Sequence, residues 1–240
     1  MPVSVIAAAP PPARSGFSGW HLSVVWIRAG GGPDGLGPGA HTDCMQTLRP
    51  PQGVLTDGVV SLRVPSAGDV DALVGYAAGQ DGGLGGAWMP ALNAGASRER
   101  CGWMVADWLA GWAGEGSYNG PALVLTTAQS PWPVGLVGFV SRDAGTFELV
   151  FGVAPSGRGQ GLATRAVLLA VGWLIRERGA AIVELRVGRD SLACQRVAVK
   201  AGFSVAGTVS GVAGATGEAV EDLRYIIEAG ERGVRPRAAG

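Results

Sequence analysis

The chain of 240 residues holds a single lysine, Lys200, and two histidines, His21 and His41. Without lysine elsewhere it cannot form the phosphate loop that ends in Gly-Lys-Ser or Gly-Lys-Thr. With both histidines so early in the chain, a histidine base or a Ser-His-Asp triad is not expected, which argues against a hydrolase. Cys44, Cys101 and Cys194 are too few and too scattered for a disulfide framework or a zinc site. They fit a reducing, cytoplasmic compartment and no metal. Long apolar runs are missing too, since glycine and charged residues interrupt every candidate short of the roughly 20 residues of a membrane span. Met1 to Arg14 lacks the basic start of a signal peptide. Charge of one sign is absent: 19 basic and 19 acidic residues cancel, so no field draws nucleic acid or a membrane surface.

What is present is apolar residue, 47% of the chain, enough for one substantial core. Residues 1–53 are rich in Gly, Pro and Ala, and the run from Ala29 to Ala40 sustains neither helix nor strand. This stretch is expected to be a disordered extension, with Met45 as a candidate native start. A folded domain is expected over 54–229, followed by a flexible tail over 230–240. Val59 to Val64 alternates like a strand, and Ser66-Ala-Gly-Asp69 has the form of a capping box before a helix at Val70 to Ala78. A glycine-rich loop over 79–86 ends that helix.

Ser97 is placed to cap a second helix, Arg98 to Ala113, on which Met104, Trp108 and Trp112 form an apolar stripe. The stripe is read as core, with an acceptor pocket as the other use. Strands are expected at Ala122 to Thr127, Val134 to Ser141 and Phe147 to Ala154, joined as hairpins by turns at Ser130-Pro131 and Asp143-Ala-Gly145. A long helix over Gly161 to Arg178, a strand over Ile182 to Val187, a helix over Ser191 to Ala201 and strands at Ser204 to Ser210 and Leu223 to Ile227 complete the pattern. This order gives an α/β (α+β) fold, a mixed sheet flanked by helices.

Between the third of those strands and the long helix lies Pro155-Ser-Gly-Arg-Gly-Gln-Gly161. Its glycines let backbone amides approach a ligand, and the open amides and positive dipole end of the helix favour an anion, with a pyrophosphate as the natural occupant. The dinucleotide fingerprint G-x-G-x-x-G fails, because Leu162 and Thr164 stand where its last glycine is needed. Taken alone, the loop is equally a plain strand-to-helix turn.

Arg158-x-x-Gly161-x-Ala163 resembles the Gln/Arg-x-x-Gly-x-Gly/Ala signature of the GNAT superfamily of N-acetyltransferases, and Glu148 to Pro155 looks like that family's fourth strand. Arg189 to Phe203 resembles the matching stretch of the Rim-type, ribosomal-protein N-terminal acetyltransferases. The resemblance implies a sheet splayed into a V-shaped cleft that takes acetyl-CoA. Phe151, Gly152 and Val153 would bond the pantetheine arm as an added strand. Arg158, Gly159, Gln160, Gly161, Leu162, Ala163 and Thr164 would hold the pyrophosphate.

Ser191 stands where the family usually has Asn, and can still bond a cofactor amide with shorter reach. Cys194 stands where it usually has Ser. As an acid for the leaving thiolate Cys194 is weak, its reference pKa of about 8.5 lying near that of the thiol itself, and a packing role competes. An amine acceptor must lose a proton before it attacks, so a base or water relay is needed. Glu148 is the candidate base, or alternatively a counter-charge for the substrate ammonium; Tyr225 is a candidate acid or a packing residue. A backbone N–H near Val153 is a candidate donor to the thioester oxygen.

The implied activity is acetyl transfer from acetyl-CoA to a primary amine, by direct attack in a ternary complex, by a monomer or homodimer. A non-catalytic acyl-CoA sensor, or an interaction module using the Trp-rich helix, is the other class of reading. The acceptor itself is not legible, because the expected acceptor region over Gly79 to Ser117 carries no charge cluster that specifies one.

Overall fold

The computed structural model describes residues 48–78, 97–115, 117, 120–212 and 219–230. In chain order the elements are β1 (Leu55–Thr56), β2 (Val60–Arg63), a short 3-10 turn (Ala67–Asp69), α1 (Val70–Ala78), α2 (Arg98–Ala113), β3 (Ala122–Thr127), β4 (Ser130–Asp143) and β5 (Thr146–Val153). After a second 3-10 turn (Pro155–Gly157) come α3 (Leu162–Arg178), β6 (Ile182–Gly188), α4 (Leu192–Lys200), β7 (Ser204–Val212) and β8 (Ala219–Glu228). The expectations for the extension upstream of Leu48, for the loop over 79–86 and for most of the tail lie outside the described residues. Leu48, within the 1–53 stretch, is buried in the main core.

Both helix starts read from the sequence are formed. The Ser66 N–H donates to Asp69 Oδ2 at 2.7 Å, closing the capping box. Arg63 grips the same carboxylate through both of its oxygens, at 2.8 and 2.6 Å. Burial alone would raise the Asp69 carboxyl, but Arg63 and the Ser66 N–H hold it below the usual range. The Ser97 side chain accepts from the Arg100 N–H, capping α2.

Eight strands form one sheet in the order β1-β2-β3-β4-β5-β6-β8-β7. All neighbours are antiparallel except β5 and β6. Strand alternation sends Leu123, Leu125, Val137, Phe139, Phe147, Leu149, Val183 and Leu185 to one face, where they form the main core with α3 and the inner side of α4. The opposite face takes α1 and α2 in a second cluster around Leu73, Met104, Trp108 and Leu136.

Met104, Trp108 and Trp112 are all buried, so the α2 stripe is packing. Trp112 reaches into the main core, donating its indole N–H to the Ala122 carbonyl at 2.9 Å. It meets Phe139 and Trp173 at ring distances of 5.6 and 6.0 Å.

Strand starts differ most from the sequence reading: β8 begins at Ala219 rather than Leu223, and β4 at Ser130 rather than Val134. Ser130-Pro-Trp-Pro133 has turn composition, yet Ser130 already pairs with Thr127 and opens β4. The turn is the preceding Ala128–Gln129 pair. Proline is tolerated at the first residues of a strand, where few ladder bonds are lost.

Gly135 on β4 permits the close approach of β5. A Cβ there would sit 2.4 Å from the Gly152 carbonyl oxygen and 3.0 Å from the Leu125 side chain. Gly135→Ala is therefore expected to cost about 1–3 kcal/mol by overpacking. Chemical denaturation checks this, and an unchanged midpoint would refute the tight β4–β5 contact.

Candidate active site

β5 and β6 run parallel only through Thr146–Ile182, Phe147–Val183 and Glu148–Glu184. Beyond that point β5 stays on β4 as far as Val153, while β6 stays on β8 as far as Gly188. The two strands diverge into a V whose vertex is the Glu148–Glu184 pair. The arms end in turns that start α3 and α4.

The bonding direction of the β5 arm follows from one hydrogen bond. The Ala154 N–H donates to the Val134 carbonyl at 2.8 Å. Antiparallel alternation then turns the N–H and C=O of Val153 and Phe151 away from β4 and into the V, while Gly152 pairs with Leu136 on β4. In agreement, the Val153 carbonyl accepts from Arg158 Nε at 3.3 Å, from outside β4. A peptide-like chain lying in the V meets two residues of open strand edge, the geometry of strand addition.

At the mouth, Gly157 is buried, and a Cβ there would meet Val153 Cγ1 at 2.9 Å. Gly159 and Gly161 both adopt φ of +76°, a left-handed conformation that side chains rarely take, and both are exposed. Gly161 caps α3 without a side chain, and the first helical bond runs from the Arg165 N–H to the Gly161 carbonyl. The amides of Leu162, Ala163 and Thr164 precede that bond, and the first turn holds no acidic residue. Arg158 is exposed beside this turn, and Gln160 folds back on the Ser156 carbonyl at 2.9 Å. Open amides, a helix dipole and an adjacent guanidinium together suit a pyrophosphate.

On the other arm, Gln195 Nε2 donates to the Gly188 and Arg189 carbonyls at 3.3 and 2.6 Å and ties α4 to the end of β6. Ser191 is half-buried at the start of α4, and its side chain makes no capping bond. Cys194 packs against the main core, and buried Tyr225 belongs to it. Tyr225 pairs with Leu185 while Glu184 pairs with Ile226, so alternation puts Tyr225 and Glu148 on opposite faces of the sheet.

Glu148 is joined by residues that sequence reasoning missed. Its Oε2 accepts from Arg142 Nε at 2.6 Å and from the Arg142 terminal nitrogen, and meets Arg186 Nε at 3.2 Å. Glu184 accepts from Arg186 at 3.1 Å and from Arg224 Nε at 2.7 Å. Burial pushes the Glu148 carboxyl above the ordinary carboxylate range, while the charges of Arg142 and Arg186 pull it back down. A signal was present in Glu184-x-Arg186, opposite charges two apart in an otherwise apolar strand, but only the β6–β8 register brings Arg224 beside them. Among the described residues no cluster of His, Cys, Asp and Glu could hold a metal ion, and no helix is long and apolar enough to cross a membrane.

Comparison with known proteins bears on the fold and the family. The Acetyltransferase (GNAT) domain model matches residues 60–204. Among solved structures, the ribosomal L7/L12 alpha-N-protein acetyltransferase RimL, in complex with coenzyme A, is 15% identical with a TM-score of 0.60, covering 73% of this chain and 98% of its own. The ribosomal-protein-S5-alanine acetyltransferase of Vibrio fischeri is 10% identical with a TM-score of 0.59, covering 75% and 98%. The microcin C7 self-immunity acetyltransferase MccE, in complex with acetyl-CoA and AMP, is 12% identical with a TM-score of 0.59, covering 72% and 98%. No curated protein matches the sequence. At these identities the structures establish a shared fold. The family model spans more than half of the chain, which therefore belongs to the GNAT acetyltransferases, enzymes of acetyl-CoA-dependent acetyl transfer.

Proposed function

We propose that residues 54–229 form an N-acetyltransferase domain that transfers acetyl from acetyl-CoA to a primary amine, a protein N-terminus or a small molecule, by direct attack within a ternary complex. The observation that carries this reading is the V between β5 and β6, with the uncapped α3 terminus at its mouth and a buried carboxylate at its vertex. Bound acetyl-CoA supplies an activated thioester.

The chain's own groups do the rest. Arg158 and the amides from Gly159 to Thr164 bind the pyrophosphate. The edge groups of Phe151 and Val153, with Gly152 between them, and the Ser191 hydroxyl fix the pantetheine arm, and an N–H of this edge donates to the thioester oxygen. Glu148 takes the proton from the acceptor ammonium, directly or through water. The Arg142 and Arg186 contacts all end on its Oε2, which supports a reading in which Oε1 meets the acceptor.

Packing in the core argues for structural roles for Cys194 and Tyr225, so the leaving thiolate takes its proton from solvent or from the acceptor nitrogen, which sheds its second proton as the C–S bond breaks and the amide forms. The cysteine content of the sequence, three scattered residues, is what supports placing it in a reducing, cytoplasmic compartment.

Glu148→Gln keeps the shape of the vertex and removes the base. Acetyl-CoA consumption against an amine panel is expected to fall about 100-fold in kcat, the usual scale of general-base catalysis, with coenzyme A affinity retained. In the wild type, kcat/KM is expected to rise with pH as Glu148 ionises, on a limb displaced above the ordinary carboxylate range. That limb disappears in Glu148→Gln. An unaltered profile would remove Glu148 from the chemistry and leave the base role to a water relay.

A further inference from the structure

The acceptor side of the site carries chemistry of its own. Phe147, Leu149, Leu185 and Tyr225 fill the face beneath α3 and α4, so a second substrate reaches the vertex of the V from the opposite face. On that face Glu148, Glu184, Arg186 and Arg224 share a side by register, and Arg142 joins them from the bulged end of β4.

The two carboxylates lie underneath, with side chains 9% and 3% exposed. The side chains of Arg142, Arg186 and Arg224 are more exposed, at 36%, 26% and 30%. What this patch presents outward is therefore cationic. Arg224 reaches Glu184 through Nε alone, and its two terminal nitrogens bond no described residue. A guanidinium has five donors in a planar fork, and that free end matches a carboxylate bidentately. Asp222 shares the face but pairs with Gly188, two residues farther from the vertex than Arg224.

We infer that the acceptor is a primary amine that also carries a carboxylate, held by the free end of Arg224 beside Arg142 and Arg186 while the amine meets Glu148. This rests on the acetyl-transfer reading above and narrows its acceptor. A free amino acid and a peptide with an acidic residue next to its N-terminus share this chemistry.

The test is selectivity. kcat/KM is measured for α-amino acids against their α-carboxamides, and for short peptides with an acidic second residue against the matching amide. The wild type is expected to favour the acid over the amide by about 10- to 100-fold in one of the two sets, the scale of a charge-assisted hydrogen bond. The set that shows it identifies the source of the carboxylate. Arg224→Gln is expected to collapse that ratio toward one, while the Arg186 contact to Glu184 keeps the buried carboxylate paired.

A wild-type ratio near one in both sets overturns the inference, with or without a folded variant, as does a ratio that Arg224→Gln leaves intact. Turnover of no carboxylate-bearing amine overturns it as well. If acetyl-CoA still binds in that case, the cofactor site survives; if it does not, the acetyl-transfer reading fails with it.

Discussion

Arg158→Glu is expected to weaken coenzyme A binding by about 100-fold or more, as measured by calorimetry. Two effects add. A charge-assisted hydrogen bond to phosphate, worth about 1.5–3 kcal/mol, is lost, and a carboxylate is placed beside the uncapped end of α3, where it competes with the ligand for the same amides. Arg158 is exposed on the turn before α3, so the fold should be unharmed. Arg158→Lys keeps the charge but loses the planar fork, and is expected to cost no more than about tenfold. Equal affinity of all three proteins would mean that the pyrophosphate does not sit at this turn.

Trp173→Ala is the largest stability change expected, about 3–5 kcal/mol by denaturant unfolding. Trp173 is fully buried on α3 and stacks edge-on against Phe139 at 5.3 Å and Trp112 at 6.0 Å, so truncation empties the point where α2, α3 and β4 meet. Arg178 covers the outer side of the ring, 5.9 Å from its centre. Trp173→Phe is expected to cost much less, because the indole N–H makes no hydrogen bond that a phenyl ring would lose. A cost below about 1 kcal/mol for the alanine variant would show that the trio does not anchor the helix.

These expectations draw differently on sequence and on structure. α1 and α2 span the residues that their caps and apolar spacing predict, because capping and helical period act within a few residues. The strand–turn–helix form of the proposed donor side was legible for the same reason: Pro155 to Thr164 is one continuous segment that holds both the glycines and the helix start. The vertex was not. Glu148 was singled out alone, since its neighbours Arg142, Glu184, Arg186 and Arg224 arrive from three other strands, and pairing register is a tertiary property. β1 is two residues long and carries no periodicity. The start of β4 hides behind two prolines whose local signal is that of a turn.

The arrangement also accounts for a buried pair of carboxylates in a sheet whose other buried residues are almost all apolar. Glu148 and Glu184 sit where β5 and β6 separate. Two like charges at that point would repel without Arg142, Arg186 and Arg224, and removing one member of such a network leaves its partner uncompensated. The network keeps a carboxylate at the vertex of the V, the group proposed above as the base.

The central claim is that acetyl-CoA lies in the V with its pyrophosphate on the start of α3. Hydrogen exchange of the whole chain with and without acetyl-CoA tests this most directly, because it reads the backbone amides themselves. Slowed exchange is predicted at Phe151, at Val153 and from Gly159 to Thr164, with little change along β7. Protection confined to other elements, or none at these amides under saturating acetyl-CoA, would contradict it.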